Sequence, residues 1–549
     1  MHKRPAAHTK YEKKTLRLPL IVGGIAVAVV LLLLFSMFLR NRQTPPPVVP
    51  AETPAPELTT PAPEVAATPT PEATVAPIVA DDSPPNNTNL PDDRATHKPS
   101  ARANTRYDVA LTLNDKFDRL SASMKVYYEN VSGEPLYALY FHLHPNAFLT
   151  SDSPGALMEQ RNYVKKFQKA QTIIGDVSVD GELAYFTESE DRMLLCVPFS
   201  RELMPGEQTE ILLDFVVDIP ALNGRFGKSD LGYQLGNFLP TLAVYQNGAW
   251  VLESYVDRGD PFYGETADYA VLLRCPQGYT VAATGTQQSD TVSNGMRTTV
   301  FSAKQVREFA CVLYSGSMQA AADTQSGITI RSYALTDTSA ARGLALAKEA
   351  LAYYGERFGA YPYETFTVAQ AELSNGGMEY PGLIMMQRAL YLPGRDSELA
   401  MTVYHETAHQ WFYGVVGSDQ IHAPWLDEAM ASYMGLLPFE KDPKAYAGLC
   451  DYYLVQQAAT GGRIDGDLRA YSGYDYAASV YWRGAALFHA LREELGDDAF
   501  FDGLALYVQR NAYHVATKYD LISAFEAASG KQLTAWFEER LIAPVPPAA

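Results

Sequence analysis

Residues 405–433 read HETAHQWFYGVVGSDQIHAPWLDEAMASY. The pattern predicts two helices joined by a turn, because the segment 414–423 interrupts the helical spacing and Pro424 can begin a second helix. His405 and His409 are one helical turn apart, about 40° from each other around the axis. Glu406 lies beside them. Two imidazoles with a neighbouring carboxylate can bind zinc, but the same five residues also occur by chance on a helix surface.

A third candidate ligand follows on the second helix. Eighteen residues separate Glu428 from His409, and an antiparallel second helix would bring Glu428 back to the histidines. Catalytic zinc needs three protein ligands and one open position. The spacing therefore predicts that His405, His409 and Glu428 bind zinc and that Glu406 faces the open side.

The sequence around this stretch predicts an α+β domain. Residues 341–359 form one helical pattern that Gly359 closes, and the predicted strands 365–372 and 382–386 flank the loop LSNGGMEYPG (373–382). The remainder is helical, and the helix that carries HETAH is expected over 397–413. Residues 105–317 instead alternate polar and apolar residues between Gly, Pro and Asn turns, which predicts an all-β, sandwich-like region.

The stretch 405–433 resembles the zinc aminopeptidases typified by aminopeptidase N, in the gluzincin clan. Residues 425–428, Trp-Leu-Asp-Glu, match the run around that family's third ligand. GGMEY (376–380) is similar to the family's Gly-Ala-Met-Glu-Asn motif, with Tyr380 in place of Asn. YWRG (481–484) is similar to its Tyr-x-Lys-Gly motif, with Arg in place of Lys.

The resemblance implies a multidomain chain and a set of residue roles. An N-terminal β saddle domain (105–320) would precede a thermolysin-like α+β zinc peptidase domain (321–549), without the large helical-repeat domain of many relatives. One Zn²⁺ per chain would lower the pKa of a bound water to about 7. Glu406 would act as general base and Tyr481 would bind the oxyanion. The predicted substrate-binding residues are Gly376, Gly377, Met378 and Glu379, of which Glu379 would pair with the α-amine.

The N-terminal 104 residues predict a membrane anchor and a stalk. Residues 1–42 carry eight Lys or Arg against one acid, whereas the whole chain has a net charge of −19. Residues 18–39 are uncharged and long enough to span a bilayer, since about 20 apolar residues suffice. A cleaved signal peptide is the competing interpretation, but its apolar core is shorter and ends at small residues. The basic segment 1–17 would then be cytoplasmic, and the Pro-, Thr-, Ala- and Glu-rich segment 40–104 a disordered extracellular stalk.

These observations leave three functional hypotheses. The first is a single-pass cell-membrane zinc aminopeptidase whose extracellular catalytic domain cleaves peptides at a free N-terminus. The second is a zinc endopeptidase on the same scaffold. The third is an inactive membrane-tethered binding or sensing ectodomain. The net charge of −19 and a pI near 5.0 argue against nucleic acid as a partner, because a protein that binds phosphates needs a basic face.

Overall fold

The computed structural model describes residues 105–542, which all belong to one compact unit. A β-sheet region extends to Tyr314, and a new sheet with its helices begins at Gln319. Within 105–542 no helix combines the length and the apolarity that a membrane crossing requires. The predicted span 18–39 and stalk 40–104 lie outside the described residues.

The largest sheet of the β region has eight strands. In spatial order the strands are β16 (Thr286–Ser293), β17 (Met296–Val306), β14 (Ala267–Pro276), β1 (Thr105–Asn114), β2 (Arg119–Glu129), β8 (Gln208–Asp218), β4 (Gln171–Val179) and β5 (Glu182–Leu183). Strands β2 and β8 alternate buried and partly buried residues along nearly their whole length, as the period-two pattern predicts. Strand β1 lies in the interior of the sheet, antiparallel to β2 and parallel to β14.

Two four-stranded sheets share one apolar core with the eight-stranded sheet. The first consists of β15 (Thr280–Ala283), β18 (Cys311–Tyr314), β10 (Gly232–Leu235) and β9 (Phe226–Ser229). The second consists of β11 (Thr241–Leu242), β3 (Leu136–His142), β7 (Leu194–Leu203) and β6 (Thr187–Glu188). A hairpin of β12 (Tyr245–Gln246) and β13 (Ala249–Trp250) completes the region.

A five-stranded sheet opens the second region. Its order is β19 (Gln319–Gln325), β20 (Ile328–Ala334), β21 (Thr365–Ala371), β23 (Leu383–Gln387) and β22 (Gly377–Met378). Strands β20, β21 and β23 are parallel, and β22 pairs antiparallel with β23 at the edge. The predicted strands on either side of the GGMEY loop are confirmed. The loop itself supplies β22, so Glu379 directly follows an edge strand.

Helices cover this sheet and form the rest of the second region. A short helix, α1 (Pro154–Met158), precedes them in the β region. The helices of the second region are α2 (Asp337–Phe358), α3 (Asp396–Ala408), α4 (Trp425–Met434), α5 (Pro443–Cys450), α6 (Gly473–Tyr476), α7 (Gly484–Leu495), α8 (Asp497–Asn511), α9 (Lys518–Ser529) and α10 (Thr534–Ile542). Thr336 caps α2. Gly359 ends the helix at φ 100°, as the sequence pattern predicted. A π-helical segment, Ala477–Arg483, connects α6 to α7.

Helix α3 is shorter than the predicted helix over 397–413. It ends at Ala408, and neither Asp396 nor Ser397 caps it, because its N-cap is Arg395. The chain then leaves the helix through Tyr413, whose φ is 148°. Tertiary contacts override helix propensity at this point: the Gln410 side chain donates to the carbonyl oxygens of Glu379 and Tyr380, at 3.2 and 3.3 Å.

Candidate metal centre and substrate cavity

The two histidines meet at the C-terminal end of α3. His405 lies in its last turn, and His409 follows Ala408 directly with helical backbone angles (φ −59°, ψ −17°). Their Nε2 atoms are 3.1 Å apart. The early end of α3 therefore leaves the predicted one-turn spacing intact.

Helix α4 places Glu428 opposite the histidine pair. Its Oε2 atom lies 3.3 Å from His405 Nε2 and 3.4 Å from His409 Nε2. This buried oxygen accepts no hydrogen bond of normal geometry from any described residue. Tetrahedral zinc with bonds of about 2.1 Å separates its ligand atoms by about 3.4 Å. The triangle formed by His405, His409 and Glu428 thus fits one zinc ion, and two imidazoles with a carboxylate are ligands that zinc accepts.

A second carboxylate orients His409. The Nδ1 atom of His409 lies 2.5 Å from Asp427 Oδ1, and Gln420 Nε2 donates to Asp427 Oδ2 at 2.6 Å. A proton on Nδ1 leaves the lone pair of Nε2 free for a metal ion, the arrangement that metal-binding histidines commonly have. Sequence reasoning assigned no role to Asp427, although it directly precedes Glu428.

The centre is rich in buried acidic groups. Burial raises the pKa of Glu406 to about 7, and it raises the pKa of Glu379 well above its ordinary value, with neighbouring carboxylates adding to the effect. Burial alone would raise the pKa of Glu428 as well, but the two histidines outweigh it and hold that pKa well below its usual range. Several carboxylates that are buried close together repel one another, and a bound cation would relieve this repulsion.

Strand β22, in the glycine-rich loop, passes directly over helix α3. A Cβ atom at Gly377 would overlap the Glu406 carboxylate, so only glycine fits there. A Cβ atom at Gly376 would make ordinary contact with the Thr402 methyl group, 3.4 Å away. Gly376, Gly377, Met378 and Glu379, the predicted substrate-binding residues, all line the same cavity as the metal centre.

Glu379 has a carboxylate oxygen without a partner. The side chain is buried, and no described residue donates a hydrogen bond to Oε1. Leaving a buried acceptor unsatisfied costs about 1–3 kcal/mol, so such groups commonly serve a ligand.

Tyr481 lies in the π-helical segment beside the histidines. Its ring stacks on His405 with a centroid separation of 6.0 Å, and its hydroxyl donates to Glu428 Oε1 at 2.6 Å. The hydroxyl is thus at the centre, but here it is bonded to a carboxylate of the candidate ligand set. The sequence motif located the residue but could not reveal this partner.

The cavity has a volume of about 580 Å³, and both regions line it. The β region supplies Arg225 and Asp260, which form a buried ion pair. Burial raises the pKa of Asp260 to about 6 against the opposing effect of Arg225. No sequence motif marks these two residues. Gln234, in β10 of the same region, does not line this cavity, and its Nε2 atom donates to Ser229 Oγ at 2.9 Å.

Other candidate groups lie elsewhere. His422 and Asp419 form an exposed pair at 2.8 Å, outside the cavity. A larger cavity of about 960 Å³, between the eight-stranded sheet and residues 362–365, contains none of the predicted site residues. The metal-binding geometry therefore belongs to the smaller cavity.

Comparison with known proteins agrees with this arrangement. Residues 342–539 match the peptidase family M1 domain. Aminopeptidase N of Lactococcus lactis subsp. lactis is 28% identical over 221 aligned positions, which cover 37% of this chain and 26% of the relative. Aminopeptidase N of Lactobacillus delbrueckii subsp. lactis is 25% identical over 421 positions, which cover 71% of this chain and 48% of the relative.

Solved structures share the fold over most of the chain. The M1 zinc metallopeptidase of Deinococcus radiodurans superposes with a TM-score of 0.60 at 19% identity, over 81% of this chain and 94% of that one. A variant of it bound to a Tyr-Ser-Ala substrate gives the same TM-score at 20% identity, again over 81% and 94%. The matches to the two curated relatives span a quarter to a half of their length. The chain is thus similar to peptidase family M1 over residues 342–539, and the two curated relatives that it resembles are named aminopeptidase N.

Proposed function

We propose that the chain is a zinc aminopeptidase, which removes residues from the free N-terminus of peptides. The observation that carries the proposal is the unpartnered, buried oxygen of Glu379 in the cavity of the candidate metal centre. A carboxylate at that place can bind the α-ammonium group of a substrate whose first peptide bond lies at the metal. The relatives named aminopeptidase N support the same activity.

One zinc ion per chain would be held by His405, His409 and Glu428. The spacing of 3.1 to 3.4 Å among their ligand atoms and the unsatisfied Oε2 of Glu428 support this ligand set. Asp427 would keep His409 in the required tautomer. Zinc in such a site supplies a Lewis acid, which lowers the pKa of water and polarises a carbonyl group.

Glu406 would carry the proton of the reaction. Its carboxylate takes a proton from the attacking water and delivers it to the leaving amine. Tyr481 would stabilise the oxyanion that develops on the scissile carbonyl. To do so, its hydroxyl would exchange its present acceptor, Glu428 Oε1, for the substrate oxygen.

Glu379 would give the enzyme its preference for a free amine. A charge-assisted hydrogen bond between ammonium and carboxylate is stronger than a neutral one. An acetylated N-terminus cannot make this bond and would leave the buried carboxylate without a partner. The acidic cavity, which also contains Asp260 and Glu428, further favours a cationic substrate group.

The test is a comparison of two forms of one peptide. The purified chain is incubated with a short peptide that has a free N-terminus and with its N-acetylated form, and mass spectrometry identifies the products. We expect loss of single N-terminal residues from the free peptide and little cleavage of the acetylated one. Glu379→Ala should lose about 2–4 kcal/mol of transition-state binding on the free peptide only.

Glu372, which directly follows β21, provides a matched control. Glu372 pairs with the half-exposed Arg388 at 2.6 Å and does not line the cavity, so Glu372→Ala should keep wild-type selectivity. If the wild type cleaves internal bonds of both peptides equally, the aminopeptidase proposal is wrong and the endopeptidase hypothesis takes its place. Absence of cleavage with bound zinc present would favour the inactive binding ectodomain.

We also propose that residues 18–39 anchor the enzyme in the cell membrane, with the N-terminus cytoplasmic and the catalytic region outside. The support is the uncharged run itself and the six Lys or Arg that precede it. Protease added to intact cells should cleave between residues 44 and 100 and release active enzyme. Active enzyme in the cytosol, or an N-terminus just after residue 39, would contradict the proposal.

A further inference from the structure

Tyr380 follows Glu379 directly and points away from the cavity. Its side chain is fully buried, and its hydroxyl donates to Asn237 Oδ1 at 3.0 Å. Asn237 belongs to the β region, so this bond joins the two regions next to the substrate cavity. Tyr380 itself does not line that cavity.

The β region provides a closely fitting pocket for the Tyr380 side chain. A Cβ atom at Gly236 would overlap the tyrosine hydroxyl, so residue 236 must be glycine while residue 380 is tyrosine. Asn237 has a φ of 51°, a left-handed conformation that asparagine tolerates better than most residues. The Gly236 backbone N–H also donates to the Arg225 carbonyl at 2.9 Å, and Arg225 lines the cavity.

The backbone between Glu379 and Gly382 is held from the opposite side by Gln410. Its side chain donates to the carbonyls of Glu379 and Tyr380 and accepts from the Gly382 N–H at 2.8 Å. The bond from Tyr380 to Asn237 holds the same short segment from the side of the β region. The two contacts together restrict the backbone at Glu379 and so fix where its carboxylate lies.

We propose that Tyr380 is a positioning residue for amine recognition: its bond to Asn237 holds Glu379 at the place where the substrate ammonium binds. The inference rests on the proposed function and extends it, because it makes selectivity for a free amine depend on a contact with the β region. Tyr380→Phe removes only the hydroxyl and keeps the buried ring, so it tests this contact without opening a cavity.

The experiment measures how much the amine contributes to binding. Inhibition constants are determined for alanine hydroxamate and for propionohydroxamic acid, which lacks the α-amine but keeps the metal-binding group. The ratio of the two constants is compared in the zinc-loaded full chain and its variants. We expect Tyr380→Phe to reduce the ratio about 2- to 10-fold, in line with the net contribution of one hydrogen bond. When Glu379→Ala is already present, adding Tyr380→Phe should not change the ratio further.

Tyr314→Phe is the matched control. Tyr314 is also fully buried in the same apolar cluster, and its hydroxyl also joins the two regions, by donating to the Gln370 carbonyl at 2.9 Å. Gln370 lies in β21, which β23 separates from β22 and the adjoining Glu379, and Tyr314 does not contact the GGMEY loop through this bond. We therefore expect Tyr314→Phe to keep the wild-type ratio while causing a similar loss of thermal stability.

Two results separate the possible failures. If Tyr380→Phe keeps the wild-type ratio, or if Tyr314→Phe reduces it equally, Tyr380 has no specific role in amine recognition and the inference is wrong. If the wild type itself binds both hydroxamates equally, then Glu379 does not bind the amine and the proposed function fails first.

Discussion

Among single residues, Asp427 orients His409, one of the three candidate zinc ligands. It accepts the Nδ1 proton of His409 at 2.5 Å and is itself held by Gln420. We expect Asp427→Asn to weaken zinc binding about 10- to 100-fold, because an amide orients the imidazole less firmly and can stabilise the wrong tautomer. Competition with a chelator measures this. Asp419→Asn, which alters the exposed pair with His422, should leave zinc affinity unchanged.

Glu308 makes folding stability depend on pH. It is buried beside Tyr413, and burial raises its pKa from 4.5 to about 7. The folded chain therefore keeps this proton up to about pH 7, whereas the unfolded chain releases it near pH 4.5. The resulting stability is fully present below pH 4.5 and is lost as the pH rises through 7. The loss is on the order of 3 kcal/mol.

Glu308→Gln removes this titration and keeps an acceptor for the Tyr413 hydroxyl. We expect urea unfolding to show that wild type loses about 2–3 kcal/mol more than the variant between pH 5 and pH 8. Parallel pH profiles for the two proteins would show that Glu308 does not titrate in this range.

Among structural elements, the loop after α3 depends on one buried arginine. The Arg307 guanidinium donates to the carbonyls of Tyr413, Gly264, Val415 and His514, which belong to three separate segments. A Cβ atom at Gly417 would overlap the guanidinium. Lysine lacks the planar guanidinium group and cannot donate hydrogen bonds to all four carbonyls at once.

We expect Arg307→Lys to lower the free energy of unfolding by about 2–4 kcal/mol, because several buried carbonyls lose their donors. Arg297→Lys is the control, since Arg297 forms a partly exposed pair with Asp290, and such pairs contribute about 0–1 kcal/mol. Equal losses for the two variants, measured by denaturant unfolding, would mean that Arg307 does not hold the loop.

The same loop shows where local sequence patterns fail. Helical periodicity located α3 and both histidines, but it extended the helix to residue 413 instead of 408. The end of the helix is set by Arg307 and Gln410, which act over 106 and 31 residues of sequence separation. Such long-range contacts leave no periodic signal in the helix itself.

For the whole molecule, residues from both regions line the candidate substrate cavity. Spacing and motifs predicted His405, His409, Glu428 and the GGMEY loop, because their relation is local or follows from one helix pair. Arg225 and Asp260 come from the β region, where strand order and not sequence distance decides what reaches the cavity. Alternation predicted the strands of that region but could not predict their spatial order.

We therefore expect residues 319–542 not to fold independently. Separation would expose Tyr380, remove the Arg307 contacts and break the bond from Tyr314 to Gln370. Calorimetry should show cooperative thermal unfolding for residues 105–542 and none for 319–542. A cooperative transition with bound zinc in the shorter fragment would show that the β region is dispensable for the metal centre.

Zinc content is the most direct measure of the proposed centre. Wild type, Glu406→Gln and Glu428→Ala are dialysed together and analysed for zinc per chain. We expect about one zinc per chain in the wild type, about one in Glu406→Gln with most turnover lost, and close to none in Glu428→Ala. Full zinc occupancy in Glu428→Ala after dialysis would mean that Glu428 is not a ligand and that the centre described here is wrong.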